Sequence, residues 1–328
     1  MRKNKVSIII PCYNAENTII SALSSLKAQL CKDFEVIIVN DGSTDNTLLV
    51  TEEYMKDSGL NYTLISHEDK GVSVARNNGI AASGGEYLMF LDADDIYHPA
   101  MVKYFLELIE STEADTVFCS FTRDVGRLPD KKSDTIGKAI PLDSYKLQEY
   151  LLFQYIPNGM WSYIYKKDIL DKFNIRFTPG RIGEDREFTW KYLCHCSSGI
   201  ALDMQLYGYC DNPCSVGNNI SINKIEFLST MDSIDNYLKE NNSSFHPVFQ
   251  KFGRSRILWS ILKIFSKADR KDLFEACMPK KEARKHMARL LLYPDFKIKI
   301  TSLLYIISPA LFFECIKIFM KWVNKTNV

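Results

Sequence analysis

Residues Glu86 to Asp95 read EYLMFLDADD: an apolar run, Tyr87 to Leu91, passes directly into Asp92, Asp94 and Asp95 with only Ala93 between them. An uninterrupted apolar run bounded this way reads as a buried strand, which places the acids at its C-terminal end. In an open α/β sheet that edge is where ligands bind, because the crevices between strands open there. Three carboxylates packed together repel one another, and a divalent cation relieves the repulsion. The plainer reading is a polar loop whose aspartates cap a helix beginning near Pro99.

The sequence on either side favours the first reading. Val6 to Ile10 (VSIII) is a short β-branched strand ended by Pro11, and Ile19, Ile20, Leu23 and Leu26 follow at helical spacing. Phe34 to Val39 is a second strand, opening into the turn-forming cluster Asn40 to Asp45 before a helix through Leu48, Val50 and Tyr54. Tyr62 to Ile65 is a weaker strand, and Val72 to Ala82 a helix. Repeated strand-helix units predict an α/β fold: a Rossmann-like, mostly parallel sheet with right-handed crossovers and helices on both faces. Asp41 and Asp92 then share one rim.

Beyond Pro99 the pattern predicts a helix to about Glu110 and a strand over Thr116 to Phe121. Arg123 to Ser144 is polar and turn-rich, read as a loop that offers no chemistry. Trp161 to Tyr165 alternates like a strand, and a short helix follows through Phe173. In Thr178 to Asp185 (TPGRIGED) two glycines and a proline present Glu184 and Asp185 just ahead of an amphipathic segment, Phe188 to Leu193. Acids there also suit a helix N-terminus.

The composition is that of an ordinary globular chain of 328 residues, 46% hydrophobic and 25% charged. Its net charge of +1 hides an asymmetry, since Lys251 to Val328 holds 17 Lys and Arg against 6 acids. The run before Pro11 is too short for the hydrophobic region of a signal peptide, and nine scattered cysteines suggest free thiols in a reducing compartment. Cys194, His195, Cys196, Cys210 and Cys214 lack the usual zinc spacing, so core packing is the expectation for them. No G-x-G-x-x-G follows a strand and no Walker sequence occurs, which excludes a nicotinamide or P-loop ATP site.

Five segments, VSIIIPCYNAENTI (6–19), FEVIIVNDGSTDNT (34–47), GVSVARNNGI (71–80), GEYLMFLDADD (85–95) and GEDREFTW (183–190), resemble in that order the inverting family 2 glycosyltransferases of the GT-A fold. The resemblance covers roughly the first 210 residues. It implies transfer of a sugar from a nucleotide-diphosphate sugar, most simply a UDP-sugar, to a glycan or lipid-linked acceptor in surface polysaccharide synthesis. Pro11 and Tyr13 would flank the donor nucleotide, Asp41 would hydrogen-bond its base, and Arg76 would lie near it. Asp92 and Asp94 look like the D-x-D pair, with Asp94 the leading ligand of Mn2+ or Mg2+ and Asp92 facing the ribose or the metal shell. Asp185 resembles the catalytic base, with Glu184 beside it, and Trp161 either stacks on an acceptor sugar or is a buried aromatic. Relatives often carry arginine where Cys210 stands, so its role would pass to Arg181 or Arg186. A sugar nucleotidyltransferase would want a glycine-rich basic loop at Cys12 to Glu16, which is absent. A non-catalytic glycan-binding protein on the same fold is disfavoured by the presence of Asp94 and Asp185.

These readings divide the chain into a catalytic domain, 1–215, with the nucleotide-sugar side in 1–121 and the acceptor side in 122–215, and a helical region, 216–328. In the latter, helical periodicity runs through Ile225 to Leu238 and Ile257 to Phe265, and Lys280 to Arg289 is strongly basic. Ile300 to Phe313 is uncharged but, with Pro309 inside, short of the ~20 residues a bilayer span needs. With Ile316, Phe319, Met320, Trp322 and Val323 adding apolar surface, this basic tail predicts peripheral contact with the inner face of the cell membrane from a cytoplasmic protein. A helical pair packed on the body, or a contact between copies in an oligomer, is the alternative. Nucleic acid is not expected, because no recognition motif accompanies the charge.

Overall fold

The computed structural model describes residues 4–127, 136–210 and 220–326, with side chains to residue 318. The chain separates into two compact units, Met1–Gly180 with Glu184–Asn212, and Arg181–Gly183 with Pro213–Val328.

Among the described residues the first unit forms one nine-stranded sheet. In chain order its elements are β1 (Val6–Cys12), α1 (Ile19–Lys27), β2 (Phe34–Asp41), α2 (Thr47–Lys56), β3 (Tyr62–His67), α3 (Val72–Ala82), β4 (Tyr87–Phe90), β5 (Ile96–Tyr97), α4 (Met101–Thr112), β6 (Thr116–Thr122), β7 (Ala139–Asp143), α5 (Ser144–Leu152), β8 (Tyr163–Lys166), α6 (Lys167–Lys172), α7 (Glu184–Leu193) and β9 (Ser198–Gly208). The spatial order is β3-β2-β1-β4-β8-β6-β9-β5, with β7 paired to β9. The β1–β2, β2–β3, β1–β4 and β6–β9 pairs are parallel; β8 joins the two parallel halves by antiparallel pairing with β4 and β6.

Every residue of β1 is buried, as expected of a parallel strand covered on both faces. Ile8 and Ile10 pack into a core with Ile19, Leu23 and Leu26 of α1 and Met101, Phe105 and Ile109 of α4. Ile9 points the other way: a Cβ on Gly79 of α3 would meet its side chain at 2.4 Å. Alternation along the strand therefore places helices on both faces. The order reverses between β1 and β4, and that switch point is where an open α/β sheet leaves a crevice beyond its strand ends. Tyr13, Asp41 and Asp92 all follow strands at this rim.

Two readings of the sequence need correction. The supposed loop from Arg123 to Ser144 contains β7 and leads into α5, whose cap is Asp143 Oδ1 accepting from the Lys146 N–H at 2.8 Å; residues 128–135 lie outside the described residues. Its prolines, glycine and lysines hide a strand that pairs at the margin of the sheet, where such residues are tolerated. The expected strand at Trp161 starts later, because Met160–Ser162 is a 3₁₀ turn and β8 begins at Tyr163. β9 runs over 11 residues, and its register against β6 shifts on either side of Ser120.

The second unit is helical, with α8 (Phe227–Glu240), α9 (His246–Lys267), α10 (Lys271–Ala276), α11 (Lys280–Leu290), α12 (Phe296–Ile307) and α13 (Pro309–Thr326). The Asp295 carboxylate caps α12 by accepting from the N–H groups of Lys297 and Ile298, and Pro309 opens α13, so the uncharged run Ile300 to Phe313 is divided between two helices. Phe312, Phe313 and Ile316 are buried, which corrects the reading of Ile316 as surface; the side chains of Phe319, Met320, Trp322 and Val323 lie outside those described. Among the described residues no helix is long and apolar enough to cross a membrane.

Candidate functional site

The rim is built by two polar loops that satisfy each other's backbone. After β1, the Ala15 N–H donates to Thr47 Oγ1 (2.7 Å) and Asn14 Oδ1 accepts from the Thr44 N–H (2.8 Å). Glu16 Oε2 in turn accepts from the Asn46 N–H (2.9 Å). Gly42 is required between them: it has φ +72° and a Cβ there would lie 2.5 Å from the Asp69 nitrogen. Pro11 is buried in β1, whereas Tyr13 stands 51% exposed at the mouth. Asp41, 4% exposed, accepts from the Lys70 N–H at 2.9 Å and lies 3.3 Å from His67 Nδ1, so its carboxylate is held rigidly at the end of β2.

Arg76, 6% exposed on α3, forms the hub of the site. Its Nη2 donates to Asp92 Oδ1 at 3.0 Å and its Nη1 to Glu184 Oε1 at 2.9 Å, while its Nε has no partner. Residues 92 positions apart in the chain are thereby bridged by one guanidinium. The approach is fixed from below, where Phe90 of β4 meets Phe177 and Phe188 edge-on, and Phe177 and Phe188 stack at 4.0 Å. Asn77, passed over in the sequence, clamps the Phe177 backbone by donating to its carbonyl and accepting from its N–H, both at 2.9 Å. Burial and the adjacent Asp185 push the Glu184 carboxyl above its usual range, with Arg76 opposing them. Asp185 itself sits in the first turn of α7, and its carboxylate accepts no hydrogen bond from another described residue.

Asp95 is 1% exposed and serves a purpose that the turn alone does not explain. The Tyr207 hydroxyl donates to its Oδ2 at 2.6 Å and the Cys210 N–H to its Oδ1 at 2.8 Å, tying the acidic loop to the end of β9. Burial, and then the charge of Asp92, push its carboxyl up to about 8. Among the described residues no three His, Cys, Asp or Glu side chains are grouped to hold a metal ion by themselves. Asp92 and Asp94 both follow β4, and carboxylate oxygens are the kind of donor that Mg2+ or Mn2+ would take beside phosphate oxygens and water.

Next to the acidic loop, Trp161 stacks on Tyr207 with ring centroids 4.3 Å apart and meets Phe121 edge-on at 5.0 Å. It is half-buried, so one face packs against the protein core. Arg123, placed in the featureless loop from sequence, lies over the Tyr209 ring at 4.4 Å. It brings a cation to the stretch after β9 that holds Cys210. Among the cysteines, Cys196 is buried with Sγ 3.5 Å from the Tyr192 carbonyl oxygen, and His195 stacks on Phe173 at 3.6 Å; Cys214 lies outside the described residues.

Residues 7–172 match the glycosyl transferase family 2 domain. The chain belongs to glycosyl transferase family 2. It is 31% identical over 215 residues to the uncharacterized glycosyltransferase EpsJ of Bacillus subtilis, covering 64% of this chain and 62% of that protein. To the uncharacterized glycosyltransferase YibD of Escherichia coli K12 it is 29% identical over 213 residues, covering 63% and 61%. This family 2 chain thus aligns with about three fifths of the length of either relative. Its fold is similar to that of residues 1–349 of S. aureus TarS in complex with UDP-GlcNAc, with a TM-score of 0.64 at 21% identity over 98% of this chain and 92% of that one. The likeness is one of fold, the GT-A sheet with a helical C-terminal region.

Proposed function

We propose that this family 2 chain is an inverting glycosyltransferase that moves a sugar from a UDP-sugar to a hydroxyl of a glycan or lipid-linked acceptor in surface polysaccharide synthesis. The observation that carries the reading is the Arg76 bridge, which brings the acids after β4 and the acids opening α7 to one guanidinium. The first pair belongs to donor binding and the second to proton transfer. Pro11, Tyr13 and Asp41 form the nucleotide side of the rim, in residues 1–121, and Trp161 with Arg123 the acceptor side, in 122–215. Residues 216–328 form a separate helical region through which the protein meets the inner face of the membrane.

Displacing UDP from the sugar carbon builds charge on the departing phosphate oxygen. Asp94 and Asp92 would hold Mn2+ or Mg2+, which when bound would supply Lewis-acid stabilisation of that charge. The chain's own residues do the rest. Glu184 is engaged by Arg76, so Asp185 is the carboxylate left to take the acceptor hydroxyl's proton as its oxygen attacks from the face opposite UDP, which inverts the anomeric carbon. Arg76 holds Asp92 in place and keeps Glu184 from drawing the proton that Asp185 must receive.

Thermal unfolding tests the donor assignment. UDP at a hundredfold its dissociation constant adds about 2.7 kcal/mol, so UDP with Mn2+ is expected to raise the melting temperature by several degrees, and GDP or CDP by less. No shift with any of the three nucleotides would overturn the donor reading.

A further inference from the structure

Helix α12 presents an apolar stripe to solvent. Phe296, Ile300, Leu303 and Ile307 are 72%, 44%, 46% and 61% exposed, and at 3.6 residues per turn they fall within an arc of roughly 60°. Ile298, Ser302 and Tyr305, on the opposite side, are buried at 4%, 0% and 2%. The helix is thus two-sided: one face packs into its own unit, with Thr301 Oγ1 accepting from Trp259 Nε1 of α9 at 2.9 Å, and the other is apolar and uncovered. Leu292, in the turn before the helix, is 66% exposed.

The charge around it is of one sign. Lys297 and Lys299 flank the stripe on its two sides, α12 carries no acid, and residues 280–310 hold seven Lys and Arg against Glu282 and Asp295. Lys263 of α9, whose Nζ lies 5.2 Å from the centre of the Trp259 ring, is lowered by burial and by Lys267, Arg256 and Lys297 around it, with Asp295 opposing. The charged residues of α12 itself, Lys297 and Lys299, are both positive.

We infer that the α12 stripe is a docking surface for an anionic phospholipid bilayer, with Phe296, Ile300, Leu303 and Ile307 entering the interface and Lys297, Lys299 and Lys263 facing headgroup phosphates. A helix lying in the interface plane needs this combination of an apolar face and a basic flank, and lysines at the margin can lay their stems along the acyl boundary while the ammonium stays with the headgroups. The inference sharpens the membrane part of the proposed function. It adds α12 to the terminal tail as a surface for that contact, since the α12 stripe is exposed while Phe312, Phe313 and Ile316 of α13 are buried.

Flotation of the full chain with phosphatidylcholine vesicles, with and without phosphatidylglycerol, tests this. The protein should float with the anionic vesicles, and salt should release it. Phe296→Ser with Ile307→Ser should lower partitioning at least about tenfold, and Lys297→Gln with Lys299→Gln should weaken it while making it less salt-dependent. Because these side chains are exposed, melting temperature and UDP binding should stay unchanged, so failure here is distinguishable from failure of the donor site. Equal flotation of the Phe296/Ile307 variant and the parent would overturn the inference. So would a parent that does not float but forms a dimer which this variant abolishes, since the stripe would then be an interface between copies.

Discussion

Asp185→Asn is expected to reduce sugar transfer by about 10³-fold while leaving UDP-sugar affinity within a factor of about three. The size follows from the role: a positioned general base contributes ~10²–10⁴, and the amide has the same shape with no basic oxygen. Glu184, the adjacent carboxylate, is already paired with Arg76 at 2.9 Å and so is not placed to replace Asp185. Affinity should survive because the donor is assigned to the β1, β2 and β4 rim and not to α7. Steady-state UDP release with an acceptor fraction, set beside direct UDP-sugar binding, separates the two quantities. Retained turnover would refute the base assignment. Loss of both together would mean that Asp185 holds the donor instead.

Arg76→Met is expected to destabilise the first unit by about 2–3 kcal/mol and to abolish transfer. Removing one partner of a buried ion pair costs ~3–5 kcal/mol, because the remaining charges are left uncompensated. Here two are left, Asp92 and Glu184, but their side chains keep 27% and 17% exposure, and water offsets part of the cost. The pH dependence carries a definite sign. Without Arg76, the burial and the Asp185 charge that already raise the Glu184 carboxyl act unopposed. A carboxyl whose folded pKa lies above its unfolded value loses stability as pH rises through the folded value, so the deficit should be larger near about pH 8 than near pH 5. Arg76→Lys should recover little, since one ammonium cannot donate to both carboxylates across the fork. Urea unfolding at the two pH values reads this out, and a variant as stable as the parent at both would contradict the hub.

Much of the sheet was legible because its strands are buried on both faces. Val6 to Ile10, Phe34 to Val39 and Tyr87 to Leu91 are continuous apolar runs, and the polar residues that end them mark the rim. The second half was less so. β7 and β9 pair at the far side of the sheet, where half-exposed and irregular strands carry mixed residues, and the register of β9 against β6 shifts on either side of Ser120. Within the site, the carboxylates announced themselves by clustering, but their connections did not. Arg76 reads as a basic residue on a helix until folding sets it between Asp92 and Glu184. Asp95 reads as part of a turn until Tyr207 and Cys210 reach it from more than a hundred positions away. Asn77 gives no signal beyond its place in VARNNGI, since its partner is a backbone. Long-range hydrogen bonds of this kind have no local periodicity to betray them.

The proposed function rests on a UDP site at the β1–β4 switch point whose affinity depends on a cation held by Asp94. Calorimetric titration of UDP with and without Mn2+, on the parent chain and on Asp94→Ala, reads this out. Mn2+ is expected to strengthen UDP binding to the parent by at least about tenfold and to leave Asp94→Ala no tighter than the metal-free parent. Binding that is the same with and without Mn2+, or a full Mn2+ effect retained by Asp94→Ala, would contradict it.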